Sequence, residues 1–178
     1  MIEEVLTFWF ELTAPAQWWT RDPQFDAAIR SRFGALHDQA VLGELHDWRD
    51  TPEGRLAEII VLDQFSRNLY RDDARAFAAD GMALALAQEA VRISADQAVP
   101  SIRRQFFYMP YQHSESQRIH EMAVTLFESL GDPEFLDYER RHKAIIDRFG
   151  RYPHRNRVLD RPSTSEEVSF LREPGSSF

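Results

Sequence analysis

A chain of 178 residues that is 43% hydrophobic, contains 13 Phe and has no cysteine can close a core of its own, and it has no thiols for a disulfide framework or a thiolate zinc site. A formal net charge of -8 argues against general affinity for nucleic acid or anionic membranes. No apolar run approaches the ~20 residues that span a bilayer, and acids in Met1-Ile2-Glu3-Glu4 stand where a secretory leader is positive. The sequence therefore reads as a soluble, cytoplasmic, single domain over 1–178 with a short tail from about 173.

Apolar residues recur three and four apart and strand-like alternation is nearly missing, which predicts an all-α protein. Val5, Leu6, Trp9 and Phe10 mark a short amphipathic helix over about 2–11. Asp22-Pro23 is a cap followed by proline in the first helical position, and Phe25, Ile29, Phe33 and Leu36 form one stripe of a helix ending before Gly43. Thr51-Pro52 repeats that start for a helix to about Tyr70. Asp80 is expected to cap an Ala- and Leu-rich helix to about Ser94. Pro100-Ser101 opens a shorter helix that Pro110 should break. Ser114 and Gln117 read as a capping box leading to a helix that stops at Gly131. After Asp132-Pro133, Phe135, Tyr138, His142, Ile145 and Phe149 share a face, and Gly150 ends that helix. The run Arg151-Tyr152-Pro153-His154-Arg155-Asn156-Arg157 reads as a loop, followed by a helix from Ser165 to Leu171 capped by Ser163 or Thr164.

Three constellations carry candidate chemistry. In the helix after Thr51, Asp63 and Arg67 share a face with Leu56, Ile59 and Ile60, while Val61, Leu62, Phe65 and Leu69 occupy the other side. Both faces are apolar, so the helix should be central, and the i, i+4 pair should be partly removed from water with further partners. That pair either fixes a helix crossing, with Gln64 and Asn68 bonding loop backbone, or makes Arg67 one wall of an anion pocket. The aromatic turn Tyr108-Met109-Pro110-Tyr111-Gln112 delivers His113 and Glu115 to the mouth of a new helix, where imidazole and carboxylate suit acid-base work or ligation. Ser114 as a cap and Glu115 as a first-turn acid give a purely structural alternative.

The third constellation is basic. Between Arg140 and Arg161, eight basic residues stand against Asp147 and Asp160. His142 lies on an apolar stripe, as a hydrogen-bonded core histidine would. Arg151, Arg155 and Arg157 are interleaved with His154 and Asn156, and guanidinium forks fit carboxylate or phosphate. The same run would equally serve as a solvated face or bind neighbouring carboxylates. No phosphate-cradling loop or dinucleotide fingerprint is present, Val124 stands where His120-Glu121 would need a second metal-binding His, and there is no strand-turn-helix serine. His113, Glu115, His142 and His154 are metal-ligating types, but their spacing demands no metal, and the sequence implies no cofactor.

Leu62-Asp63-Gln64-Phe65-Ser66-Arg67-Asn68, Ala74-Arg75-Ala76-Phe77, Tyr108-Met109-Pro110-Tyr111-Gln112-His113-Ser114-Glu115 and Arg148-Phe149-Gly150-Arg151-Tyr152-Pro153-His154-Arg155-Asn156 together resemble the mainly bacterial family called domain of unknown function 924. The resemblance runs from Val5-Leu6-Thr7-Phe8-Trp9-Phe10 to Ser163-Thr164-Ser165-Glu166-Glu167. It implies antiparallel helix pairs in a tetratricopeptide-repeat-like right-handed superhelix of about seven to nine helices, and it implies no activity. Two positions depart from the pattern: Gly81 where relatives often have Pro, and Asp160 where Gly is common.

The functional expectation is a helical protein binding a small anionic metabolite or peptide carboxylate, with Asp63, Arg67, Asn68, His113, His142, Arg151, His154, Arg155 and Asn156 as ligand-binding residues. Asp63 would orient Arg67. Two alternatives stand beside it: an enzyme of the hydrolase kind with catalytic candidates His113, Glu115 and His154, either histidine serving as general base, and an adaptor that uses Trp18, Trp19 and Trp48 to hold a partner protein. Nucleic acid and membrane are not expected partners, and the letters leave oligomeric state open.

Overall fold

The chain is all-α: its helices are α1 (Ile2–Thr7), α2 (Pro15–Trp18), α3 (Pro23–Val41), α4 (Pro52–Ile60), α5 (Ser66–Leu69), α6 (Asp80–Arg92), α7 (Ser101–Gln112), α8 (Gln117–Ser129), α9 (Pro133–Phe149) and α10 (Ser165–Phe170). The computed structural model describes residues 1–176, and among these there is no strand. The last two residues of the expected tail, Ser177 and Phe178, lie outside the described residues.

Several helix starts follow from side-chain caps. Asp22 Oδ1 accepts from the amides of Gln24 (2.8 Å) and Phe25 (3.3 Å) ahead of α3, Thr51 Oγ1 accepts from Gly54 N at 3.1 Å ahead of α4, and Asp132 Oδ1 accepts from Glu134 N at 2.9 Å ahead of α9. Each satisfies an amide that the first helical turn leaves without a partner. Gly131 and Gly150 take left-handed φ values of 73° and 69° where helices stop. Gly54 has a different role: a Cβ there would come 2.0 Å from the Trp48 carbonyl oxygen, so only glycine allows the two backbone segments to approach.

Three expected starts or stops differ. Pro110 does not break its helix, which continues to Gln112. The amide that proline lacks falls in the last turn, so one bond is lost and not a ladder. Asp80 is the first residue of α6 and not its cap, which is Ala79; its carboxylate is drawn instead to Arg67. The Ser114–Gln117 capping box does not form. Helix α8 begins at Gln117 after Ser116, Gln117 Nε2 donates to Asp147 O at 3.3 Å, and Glu115 is taken up by Arg161 and by the amide of Tyr152 before the helix starts.

The described residues divide into two compact units, the first Met1–Arg71 with Arg75–Pro110, the second Asp72–Ala74 with the described part of Tyr111–Phe178. In the first, α4 is central: Leu56, Ala57, Ile59, Ile60, Val61, Leu62 and Phe65 are all fully buried, as two apolar faces require. A π-helical turn over Val61–Phe65 continues it into α5. Phe8, Phe33 and Phe65 meet at ring-centroid distances of 5.1 Å (Phe8–Phe33 and Phe33–Phe65), and Trp9 meets Phe65 at 5.6 Å. Trp19 is 54% exposed.

In the second unit α8 and α9 pack along one another across the short turn at Gly131. Their facing stripes are unusual in what they bury. Helix α8 contributes His120, Ala123 and Phe127, and α9 contributes Glu139, His142, Ile145 and Ile146. Tyr138, expected on the inner face of α9, is 44% exposed, and Glu139 is buried in its stead.

Candidate functional site

The sequence candidates fall in both units. In the first, Asp63 is 1% exposed. Arg67 donates through Nη1 and Nη2 to the two carboxylate oxygens of Asp80 at 2.9 and 3.0 Å and lies 3.2 Å from Asp63 Oδ1. Its Nη1 also donates to the Asp63 carbonyl at 2.9 Å. Gln64 Nε2 donates to Asp63 Oδ2 at 2.6 Å, so the buried carboxylate has several donors, as its desolvation demands. The further partner that a buried pair calls for is Asp80. Gln64 and Asn68 do not bond loop backbone: Asn68 Nδ2 donates to Asp26 Oδ1 at 2.8 Å, and Arg71 holds the same carboxylate. These interactions tie α5 to α6 through Asp80 and to α3 through Asp26.

The second unit brings together His113, His142, His154, Arg155 and Asn156, and adds three residues the sequence reading passed over: His120, Glu139 and Tyr152. His120 and Glu139 are both fully buried, with Nδ1 2.7 Å from Oε1. The other ring nitrogen, Nε2, lies 2.9 Å from the Ser114 carbonyl oxygen. A carbonyl only accepts, so Nε2 carries a hydrogen, and one further proton lies between Nδ1 and Oε1. The pair is thus neutral overall whichever atom holds that proton. Burial raises the Glu139 carboxyl above its ordinary value, against the opposing influence of His120 and Gln112.

Tyr152 is the hub. Its hydroxyl donates to Gln112 O at 2.5 Å and lies 3.2 Å from His120 Nε2. The rings of His120, His142 and His154 sit 6.3, 5.9 and 5.4 Å from its ring, and the Arg155 guanidinium lies 4.5 Å from the ring centroid. His142 Nδ1 donates to Tyr138 O at 2.8 Å, and burial pushes its imidazole down to about 3. His113, His120 and His154 lie near enough to oppose a charge on it as well. His142 is therefore a neutral wall of the cluster. His113 and His154 are half-buried and Arg155 is 6% exposed.

Several basic side chains are held by carboxylates within the unit. Arg161 donates to Glu115 at 2.5 and 2.9 Å and to Asn156 Oδ1 at 3.1 Å. Glu115 also accepts from Tyr152 N at 2.8 Å. Burial works to raise the Glu115 carboxyl, but Arg161, the Tyr152 amide and the charge of Arg155 outweigh it and hold it below the usual range. Arg151 grips Glu167 at 2.6 and 2.8 Å. With that guanidinium the chief cause, and Thr164 N and Asn156 adding to it against burial, the Glu167 carboxyl falls to about 2. Thr164 and Glu167 form a capping box for α10. Asn156 Nδ2 donates to Ser163 Oγ at 3.1 Å, so Asn156 ties the turn to the segment before α10.

Among the described residues no three His, Asp or Glu side chains are placed to hold one metal ion. The signal for the missed dyad lay in the helical period: His120, Ala123 and Phe127 are spaced three and four apart, as are Glu139, His142 and Ile146. Also among the described residues, no helix is long and apolar enough to cross a membrane.

Comparison with known proteins fits these motifs. A solved protein of unknown function from Agrobacterium tumefaciens is 37% identical, over 96% of this chain and 96% of its own, with a TM-score of 0.92. No curated protein matches at a significant level. The family model described as bacterial protein of unknown function, DUF924, matches residues 5–175, and the chain belongs to that family.

Proposed function

We propose that the Tyr152 cluster binds a small anionic metabolite or a peptide carboxylate. The observation that carries this reading is the placement of Arg155: a guanidinium only 6% exposed lies over the Tyr152 ring at 4.5 Å, with the half-buried rings of His113 and His154 in the same cluster. Partial burial strengthens a charge-assisted hydrogen bond to an anion, and a planar fork orients it. Asn156 and His142 complete the surroundings, the first fixing the turn and the second remaining neutral.

The site so defined is narrower than the sequence suggested. Arg67 and Arg151 pair with Asp80 and Glu167 and serve positioning, while the burial of Arg155 over the Tyr152 ring puts the ligand at that guanidinium, beside His113 and His154. The test is capture of metabolites on the immobilised chain, followed by isothermal titration of the captured compound into the parent and into Arg155→Ala. Loss of a charge-assisted contact should weaken binding roughly tenfold or more. Equal affinity for the two proteins would remove Arg155 from the site and the reading with it.

A further inference from the structure

Helix α10 is docked by charge where a surface helix ordinarily docks by an apolar stripe. Its buried residue is Glu167. Val168 and Leu171 are 41% and 36% exposed, and Phe170 is half-buried with its ring 4.9 Å from that of Phe149. Arg151 grips Glu167 through Nε and Nη2 at 2.6 and 2.8 Å, and Arg148 Nε donates to Glu166 at 2.9 Å. Desolvation of a buried carboxylate offsets much of what such a pair gains, and the more exposed pair of Arg148 with Glu166 adds little. The seam between α8 and α9 is built differently, with Ala123, Phe127 and Ile146 buried along it. A segment that buries little apolar surface opens at a lower free energy than the core it lies on.

The stretch leading into α10 also holds the turn that carries Tyr152, His154 and Arg155. Arg161 donates through Nη2 to the Tyr152 carbonyl at 3.2 Å and through Nε to Asn156 Oδ1 at 3.1 Å. Asn156 Nδ2 donates to Ser163 Oγ at 3.1 Å, and Arg151 Nη2 to the Pro162 carbonyl at 3.0 Å. At the far end Phe170 packs against the apolar group of Ile145, Ile146 and Tyr152. We infer that residues 161–170 form a strap, latched by Glu167 on Arg151, that opens as a unit and when shut holds the 151–156 turn in the shape the anion site requires. The coupling to a ligand rests on the reading proposed above, and the opening does not. An anion bound beside Arg155 favours the shut strap, and by reciprocity the shut strap favours the anion. The strap regulates the site by ordering it, without itself touching the ligand.

The test follows solvent exchange of individual backbone amides in the full chain, first without ligand. The Val168 and Leu171 amides, bonded to Thr164 O and Glu167 O, should exchange together and well before the amides of α8 and α9. Glu167→Gln keeps the shape and removes the charge, and it should speed both roughly tenfold with α8 and α9 unchanged. Phe170→Ala, which removes the ring packed on Phe149, should also speed them. Glu166→Gln, at the more exposed pair, should change them roughly twofold at most. Saturating alanylalanine should slow the same two amides roughly fivefold or more in the parent. Exchange of Val168 and Leu171 at the rate of α8 and α9, or no acceleration in both Glu167→Gln and Phe170→Ala, would overturn the strap. Alanylalanine that binds without slowing either amide would overturn its link to the site. A parent that did not bind alanylalanine would remove the anion reading, while the exchange rates would still decide for or against the strap.

Discussion

The seam between α8 and α9 and the segment from Arg151 to α10 each bury a glutamate, and the two bind protons in opposite senses. Glu139, wholly buried against His120, has its carboxyl raised by desolvation. Glu167, 2% exposed, has its carboxyl lowered from 4.5 to about 2, chiefly by Arg151. The residue type is the same, but desolvation dominates at Glu139 and the guanidinium at Glu167. The difference lies in depth and in partner: Glu139 is the more deeply desolvated, and a guanidinium is charged at every accessible pH, whereas an imidazole can share the carboxyl proton. The pH dependence of stability follows. Glu167 contributes stability that is complete above its unfolded value near 4.5 and is lost as pH falls through about 2. Glu139 runs the other way: its contribution is complete below its unfolded value near 4.5 and declines as pH rises through its raised folded value.

The largest effect that would break this contrast is at the seam. Glu139→Ala leaves the buried His120 without its partner and should cost about 3–5 kcal/mol in urea unfolding near neutral pH. A cost near zero would mean the dyad is dispensable packing. Arg151→Ala is next, with a smaller loss, and it should move the Glu167 carboxyl upward, bringing the acid-side fall in stability to a higher pH. An acid limb superimposable on that of the parent would show that Arg151 does not set the Glu167 proton affinity. Tyr152→Phe removes the 2.5 Å bond to Gln112 O and should cost about 1 kcal/mol by the same unfolding measurement. A loss larger than that of Glu139→Ala would make Tyr152, and not the dyad, the keystone of the unit. The smallest change should be a gain: Asp160 holds a left-handed φ of 52°, so Asp160→Gly should stabilise by up to about 1 kcal/mol, visible as a higher melting temperature.

The same contrast explains what the letters could and could not tell. Caps such as Asp22, Thr51 and Asp132 act on amides two and three residues away, so their consequences are local and readable. The central position of α4 followed from its two apolar faces. Asp160 takes the left-handed conformation that favours glycine. Asp80 was misassigned because its competing partner, Arg67, lies 13 residues away, and a guanidinium outcompetes a free helix amide for a carboxylate. Ser114 and Glu115 were misread for a related reason, since Arg161 is 46 residues from Glu115. The dyad escaped because polar residues on a stripe are discounted singly. Reading His120 and Glu139 as a pair required knowing that α8 and α9 face each other. The arginine-rich run was legible as charge, but which carboxylate each guanidinium meets depends on where Glu115, Glu166 and Glu167 end up.

The most direct test of the Tyr152 cluster as an anion site is an imidazole NMR titration of the full chain with alanylalanine, a minimal peptide carboxylate. His46, whose side chain is 69% exposed, serves as an internal control. The account predicts that the His113 and His154 ring resonances shift along one saturating curve while His46 stays put, and that Arg155→Ala abolishes the shift. Movement of His113 and His154 no greater than that of His46, or an unchanged curve in Arg155→Ala, would contradict it.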